Sequence, residues 1–137
     1  MLRLDKHNLD QFLEEFPQVF DEISQQVASA QELVDRLKQE LDELKATLSL
    51  SFREDLLRQG QRVTEKLIED LITIDEDFIN KKKELLQAQA ELVKLKATKE
   101  ALTRALEAAA ELSRLYVAGY WGVSNVTRTE RKIQRGV

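Results

Sequence analysis

Cysteine is absent from this chain, so neither a disulfide framework nor a thiolate metal site is available to it. Proline occurs once, at Pro17, and three of the four glycines lie at or beyond Gly119. The residues that break regular structure are therefore nearly missing from the middle of the chain, which argues against a loop-rich fold. Aromatic residues make up only 6% of the sequence, too few for a dense globular core. No apolar run approaches the ~18 residues that a membrane span needs. The opening stretch MLRLDKHNLD lacks the apolar core of a signal peptide, so a soluble, cytoplasmic protein is expected, with no membrane partner.

Chemistry is scarce as well. The single histidine, His7, has no neighbouring cluster of ligands, and no GxxxxGK[ST] loop is present to cradle a phosphate. No nucleophile and base flank a glycine turn. No catalytic residue, metal or cofactor is expected, and an enzyme is the least favoured class.

Charge is plentiful: 34% of residues are Asp, Glu, Lys or Arg, with a formal net charge of −4. Most of it follows helical spacing. Glu32/Arg36, Glu54/Arg58, Asp77/Lys81 and Glu100/Arg104 are i,i+4 pairs, the pattern of a solvated helix face. The last ten residues differ, with Arg128, Arg131, Lys132 and Arg135 against one acid, Glu130. A positive end on a negative body points to an anionic partner, or to a solubilising tail.

Hydrophobic periodicity is the strongest signal. Leu9, Leu13, Phe16, Phe20, Ile23, Val27, Ala30, Val34, Leu37, Leu41, Leu44 and Leu48 follow one another at alternating spacings of 4 and 3. That is a heptad seam. Pro17 fits best in the first turn of a main helix, where its missing N–H costs nothing. The pattern predicts helices over 9–16, 17–58, 64–73 and 75–118. Gln59-Gly60 ends the long one and Thr64 caps the short one, while the β-branched residues of "LITID" leave a strand possible there. Thr73 with Glu76 fits a capping box for the second long helix. Residues 1–122 then form a helical hairpin domain and 123–137 a basic tail.

The second long helix is apolar on a wider face than one partner covers. One file holds Phe78, Leu85, Leu92 and Leu106; another holds Ala88, Leu95, Leu102, Ala109 and Tyr116; a third holds Ile79, Leu86 and Val93. Two files suffice for one neighbour, so three imply further contact. The fold expected is all-α, a long antiparallel helical hairpin or coiled coil with a short intervening helix, assembling into a homo-oligomer. Phe78, Ile79, Leu85, Leu86, Leu92, Val93, Leu102 and Leu106 are the candidate interface. Lys99 stands among the leucines of the first file, either to fix register or to snorkel to solvent.

Three basic groups are candidate anion contacts. The tail joins Arg128, Arg131, Lys132 and Arg135 to Tyr116, Tyr120 and Trp121 just upstream, and aromatic faces with cations suit single-stranded nucleic acid. Arg53, Arg58, Arg62 and Lys66 bracket the turn. Lys81-Lys82-Lys83, with Lys94, Lys96 and Lys99, run along the second long helix. Each group has a plainer reading, as packing aromatics or as a solvated strip. Repetition around an oligomer would turn modest sites into salt-sensitive affinity.

The order of these elements, from "EEFPQVFDEISQQVASAQELVDRLKQELDELKATLSLSFRE" through "RVTEKLIEDLITIDEDFINKKKELLQAQAELVKLKATKEALTRALEAAAELSRLY", resembles the phage recombination mediator family of the UvsY type over roughly residues 16–120. The resemblance rests on spacing and not on an invariant signature. It implies a ring-forming helical protein, in the host cytoplasm if phage-encoded, that binds single-stranded DNA. Such a protein would help load a recombinase onto strands coated by single-strand-binding protein. In that family, basic residues near the end of the first long helix are associated with DNA contact. Lys45 in "LKATL" matches, whereas Thr47 stands where a second cation is expected, leaving Arg53, Arg58 and Arg62 to substitute. Two other readings stay open: a coiled-coil structural or assembly protein such as a phage scaffold or connector, and a prefoldin-like holdase whose long helices flank β-hairpins.

Overall fold

The scarcity of Gly and Pro leaves little to interrupt a helix, and three helices account for nearly all of the described chain. The computed structural model describes the backbone of residues 6–135 and the side chains of residues 8–119. Helix α1 spans Lys6–Arg58, α2 spans Glu65–Ile74 and α3 spans Glu76–Arg135. No strand occurs among the described residues, so "LITID" is helical and the β-hairpins of a prefoldin-like holdase are not found there. No helix among the described residues is long and apolar enough to cross a membrane.

The ends of the helices have local causes. Gly60 adopts a φ of 68°, the left-handed conformation that side chains resist. Its N–H donates to the Leu57 carbonyl at 3.1 Å and the Gln61 N–H donates to the Leu56 carbonyl at 2.9 Å. This is the Schellman arrangement, and it satisfies carbonyls that the helix end would otherwise orphan. Thr64 caps α2 as expected, its hydroxyl accepting from the Leu67 N–H at 3.2 Å.

Two expectations about boundaries are corrected. The start of α3 is capped by Asp75, whose Oδ2 accepts from the Phe78 N–H at 3.0 Å. Thr73 does not serve, because it still lies inside α2 and its hydroxyl donates to the Glu69 carbonyl at 2.8 Å. The break expected between residues 16 and 17 is missing, since α1 runs unbroken through Pro17. Phe12, Phe16 and Phe20 lie one helical turn apart, with ring centroids separated by 5.5 and 5.3 Å, and this packing holds the helical spacing across the proline. Helix α3 also continues beyond the end expected at residue 118, through most of what was read as the tail.

The chain divides into two compact units, Ser24–Ala97 and the segments Met1–Ile23 with Thr98–Val137. In the first unit, Val34 and Leu37 of α1 form a buried cluster with Leu85, Ala88 and Leu92 of α3. A second cluster joins Leu56 of α1 to Ile68 and Ile72 of α2, with Phe52 and Phe78 against it. Glu40 pairs with Lys81 while Val34 and Leu37 share the cluster of Leu85 to Leu92, so here α1 and α3 run antiparallel. In the second unit Leu9, Phe16, Ile23 and Ala109 are buried, Ala109 completely. Lys99 neither fixes a seam nor simply reaches solvent: its Nζ sits 5.4 Å from the centre of the Phe20 ring, a cation–π contact.

Candidate nucleic-acid and assembly surfaces

The turn between α1 and α2 is less positive than its arginines suggest. Residues 53–70 hold four cations against five carboxylates. Arg53 is bound by the carboxylate of Glu65 and also donates from Nε to Ser49 Oγ at 3.3 Å. Arg58 lies 3.9 Å from both Glu54 and Asp55. Of the cations expected to meet an anion here, Arg62 and Lys66 are exposed and make no ion pair among the described residues, and the same holds for Lys45 on α1. Tyr120, Trp121, Arg128, Arg131, Lys132 and Arg135 lie outside the residues whose side chains are described. Tyr116, the aromatic just before them, is 37% exposed on α3.

The expected surface ion pairs are only partly as read. Arg58 does reach Glu54, and Arg104 reaches Glu100 at 2.6 Å. Arg36, however, pairs with Glu40 and not with Glu32, and Lys81 turns from Asp77 to Glu40 at 2.5 Å and Glu84 at 3.9 Å. Glu40 lies next to Lys81 across the helix pair, a proximity that spacing along one helix does not reveal. The hydrogen bond from Lys81 holds the Glu40 carboxyl below the usual carboxylate range, and the same bond raises the Lys81 ammonium above the usual lysine range.

The candidate interface residues separate into two groups. Leu85 and Leu92 are buried in the chain's own cluster, and Phe78 packs against the second cluster. These three are corrected from an interface between copies to contacts within one chain. Leu102 and Leu106 are half-buried. Ile79, Leu86 and Val93 are 37, 55 and 65% exposed, so the third apolar file is left uncovered by the chain's own fold.

Around that file lies a feature that reading the lysines as a bare run had missed. Residues 80–97 contain five lysines against two glutamates. Lys82, Lys83 and Lys96 are exposed on the flank of the apolar file, while Glu84 and Glu91, seven residues apart, lie on the far side of the helix. The signal was present in the helical spacing, once the buried side of α3 was known.

A shallow groove of ≈ 470 Å³ between α1 and α3, lined among others by Glu40, Glu43, Asp77, Lys81 and Glu84, is mainly acidic. No cluster of three or more His, Cys, Asp or Glu side chains is placed to hold a metal ion among the described residues. No protein-family model, curated protein or solved structure matches the chain.

Proposed function

We propose that this chain is a non-catalytic helical protein that self-assembles as a coiled-coil hairpin and holds single-stranded DNA, helping a recombinase onto strands covered by single-strand-binding protein. One observation carries the reading: Ile79, Leu86 and Val93 form an apolar file that the fold leaves exposed. Water-exposed apolar files of this regularity gain free energy by meeting another helix. Copies that gather in this way repeat every exposed cation around the assembly.

Repetition matters because each single patch is weak. Arg62 and Lys66 are two unpaired charges beside carboxylates, too few to grip a strand from one subunit. Several copies presenting them together neutralise several phosphates at once, and affinity rises while becoming strongly dependent on salt. The family resemblance in the order of elements supports single-stranded DNA as the strand in question. Its recombinase and single-strand-binding protein partners rest on that resemblance alone.

The test is a fluorescence-polarisation titration of labelled oligo-dT with the full chain at rising salt. Binding is expected at low salt and falls steeply as salt increases. Absence of binding at low salt removes the DNA reading. The near balance of cations and carboxylates over residues 53–70 favours one second reading, a coiled-coil connector that assembles without nucleic acid. In that case the chain forms the same assembly and leaves oligo-dT untouched.

A further inference from the structure

We infer that the back of α3 in one copy seats on the back of α1 in a second copy, so that the interface joins two different faces of the same chain. The inference rests on the self-assembly reading above and names its contact.

The α3 side is a seam in its own right. Leu86, Ala90, Val93 and Ala97 follow at spacings of 4, 3 and 4, and all but the alanines are large apolar side chains exposed by more than half. Ile79 extends the seam by one heptad toward the start of α3. Its borders are cationic: Lys82, Lys83 and Lys96 are exposed and unpaired among the described residues. A surface built in this way selects a partner helix that is apolar in the middle and acidic around it.

Pairing α3 with its own copy fails that condition. In an antiparallel pair, residues on the same flank face each other, which brings Lys82 toward Lys96. In a parallel pair, Lys83 falls in the seam against its own copy. Either arrangement sets like charges together where water is being excluded.

The exposed back of α1 has the opposite character. Leu50 and Leu57, seven residues apart, are 65 and 68% exposed. The same file continues toward the N-terminus through Ala46, Glu43, Gln39 and Glu32, all exposed, at heptad spacing. Asp42 borders it. Neither Glu32 nor Asp42 has a cation partner among the described residues, and Glu43 accepts only a neutral hydrogen bond, from Gln39 Nε2 at 3.3 Å. Each copy therefore carries an apolar-acidic file on α1 and an apolar-basic file on α3, complementary in sign. Contacts between two different faces are heterologous, so each copy keeps one face of each kind free to bind the next. Such contacts close into a ring or run on as a filament. Arg62 and Lys66 belong to neither file and remain available to an anion.

Charge reversal distinguishes this contact from its rivals. Sedimentation velocity at micromolar concentration is run on the full chain and on three variants, with helical circular dichroism confirming that each folds. The first is Lys82→Glu/Lys83→Glu/Lys96→Glu, the second Glu32→Lys/Asp42→Lys/Glu43→Lys, and the third combines all six changes. The wild-type chain is expected to be larger than one subunit. Each triple variant should associate about a hundredfold more weakly. The six-fold variant, whose net charge equals that of the wild type, should recover association to within about tenfold of it.

If the α1 triple variant keeps the wild-type mass, α1 is not in the interface and the inference is overturned. The same follows if the six-fold variant fails to recover, or if the wild-type chain is a single subunit. An oligo-dT titration run in parallel keeps the two readings apart. Assembly without DNA binding defeats the DNA reading and leaves this contact standing. DNA binding by single subunits does the reverse.

Discussion

Glu40 on α1 receives a hydrogen bond from Lys81 on α3 at 2.5 Å, and this pair ties the helices together at the rim of the cluster formed by Leu37 and Leu85. Both side chains keep part of their surface in water, 37% for Glu40 and 27% for Lys81, so the pair adjusts stability more than it creates it. The sign of the pH effect follows from the two shifts. Glu40 is held below its ordinary range, so its contribution is present above that range and is lost as pH falls through the lowered value. Lys81 is held above its ordinary range, so its contribution is present below that range and is lost as pH rises through the raised value. Removing either side chain should therefore lower the melting temperature near neutral pH, and the difference from wild type should shrink in acid and in strong alkali. A double-mutant cycle with Glu40→Gln and Lys81→Met, melted across pH, checks this. A difference that is flat with pH would show that the pair is electrostatically idle.

Burial separates residues that hold one chain from residues that hold copies together. Ile68 is 2% exposed and sits among Leu56, Ile72 and their neighbours, so Ile68→Ala should cost about 2–5 kcal/mol at any protein concentration. Leu86 is 55% exposed, so Leu86→Ala should change the stability of a single chain by less than about 0.5 kcal/mol. Its effect should appear only as protein concentration is raised and copies assemble. Chemical denaturation at two concentrations reads both. A large cost for Leu86→Ala in dilute protein would mean that its contact lies within the chain.

Ser24 offers a stabilising change. Its hydroxyl is buried without a hydrogen-bond partner on the inner side of α1, beside Ile23 in the sequence. An unsatisfied buried hydroxyl costs about 1–3 kcal/mol. Alanine removes that polar atom, leaves the Cβ in place and has higher helix propensity. Ser24→Ala should raise stability by about 1 kcal/mol, read as a higher denaturant midpoint with an unchanged slope. A lower midpoint would indicate that the hydroxyl is satisfied in solution.

Local chemistry made much of this fold legible before any coordinates. Gly60 and Thr64 announce a stop and a start because each acts on backbone groups within a few residues of itself. The seam from Leu9 to Leu48 is legible for the same reason, although Leu13 is 36% exposed. Choices among competing partners were less legible. Arg36 has carboxylates one turn away on both sides, and Lys81 has Asp77 and Glu84 on its own helix as well as Glu40 on another. Which pairs form depends on what the fold brings alongside. The arginines of the turn were overvalued in the same way, because Glu65 reaches Arg53 only once α2 folds back. The sequence fully displays the uncovered file of Ile79, Leu86 and Val93, but its lysine border gains meaning only when Leu85 and Leu92 are seen to face inward.

Pro17 is the clearest conflict between local preference and the fold, and it predicts a gain from substitution. With no N–H, it leaves the Leu13 carbonyl without its usual partner, and its ring crowds that carbonyl. Both Leu13 and Pro17 lie at the exposed side of α1, where water can take the carbonyl's place. On the inner side Phe16 is buried, and its ring stacks on Phe20 while tilting against Phe12, so helical spacing is enforced where it matters for packing. The helix therefore survives the proline at a cost. Pro17→Ala restores the hydrogen bond and relieves the crowding without touching the phenylalanines. It should raise stability by up to about 3 kcal/mol and increase the helical signal slightly. Thermal unfolding followed by circular dichroism checks this. A variant that melts at a lower temperature would show that residues 9–16 and the rest of α1 are separate helices in solution, with Pro17 at the first turn of the second, where it stabilises.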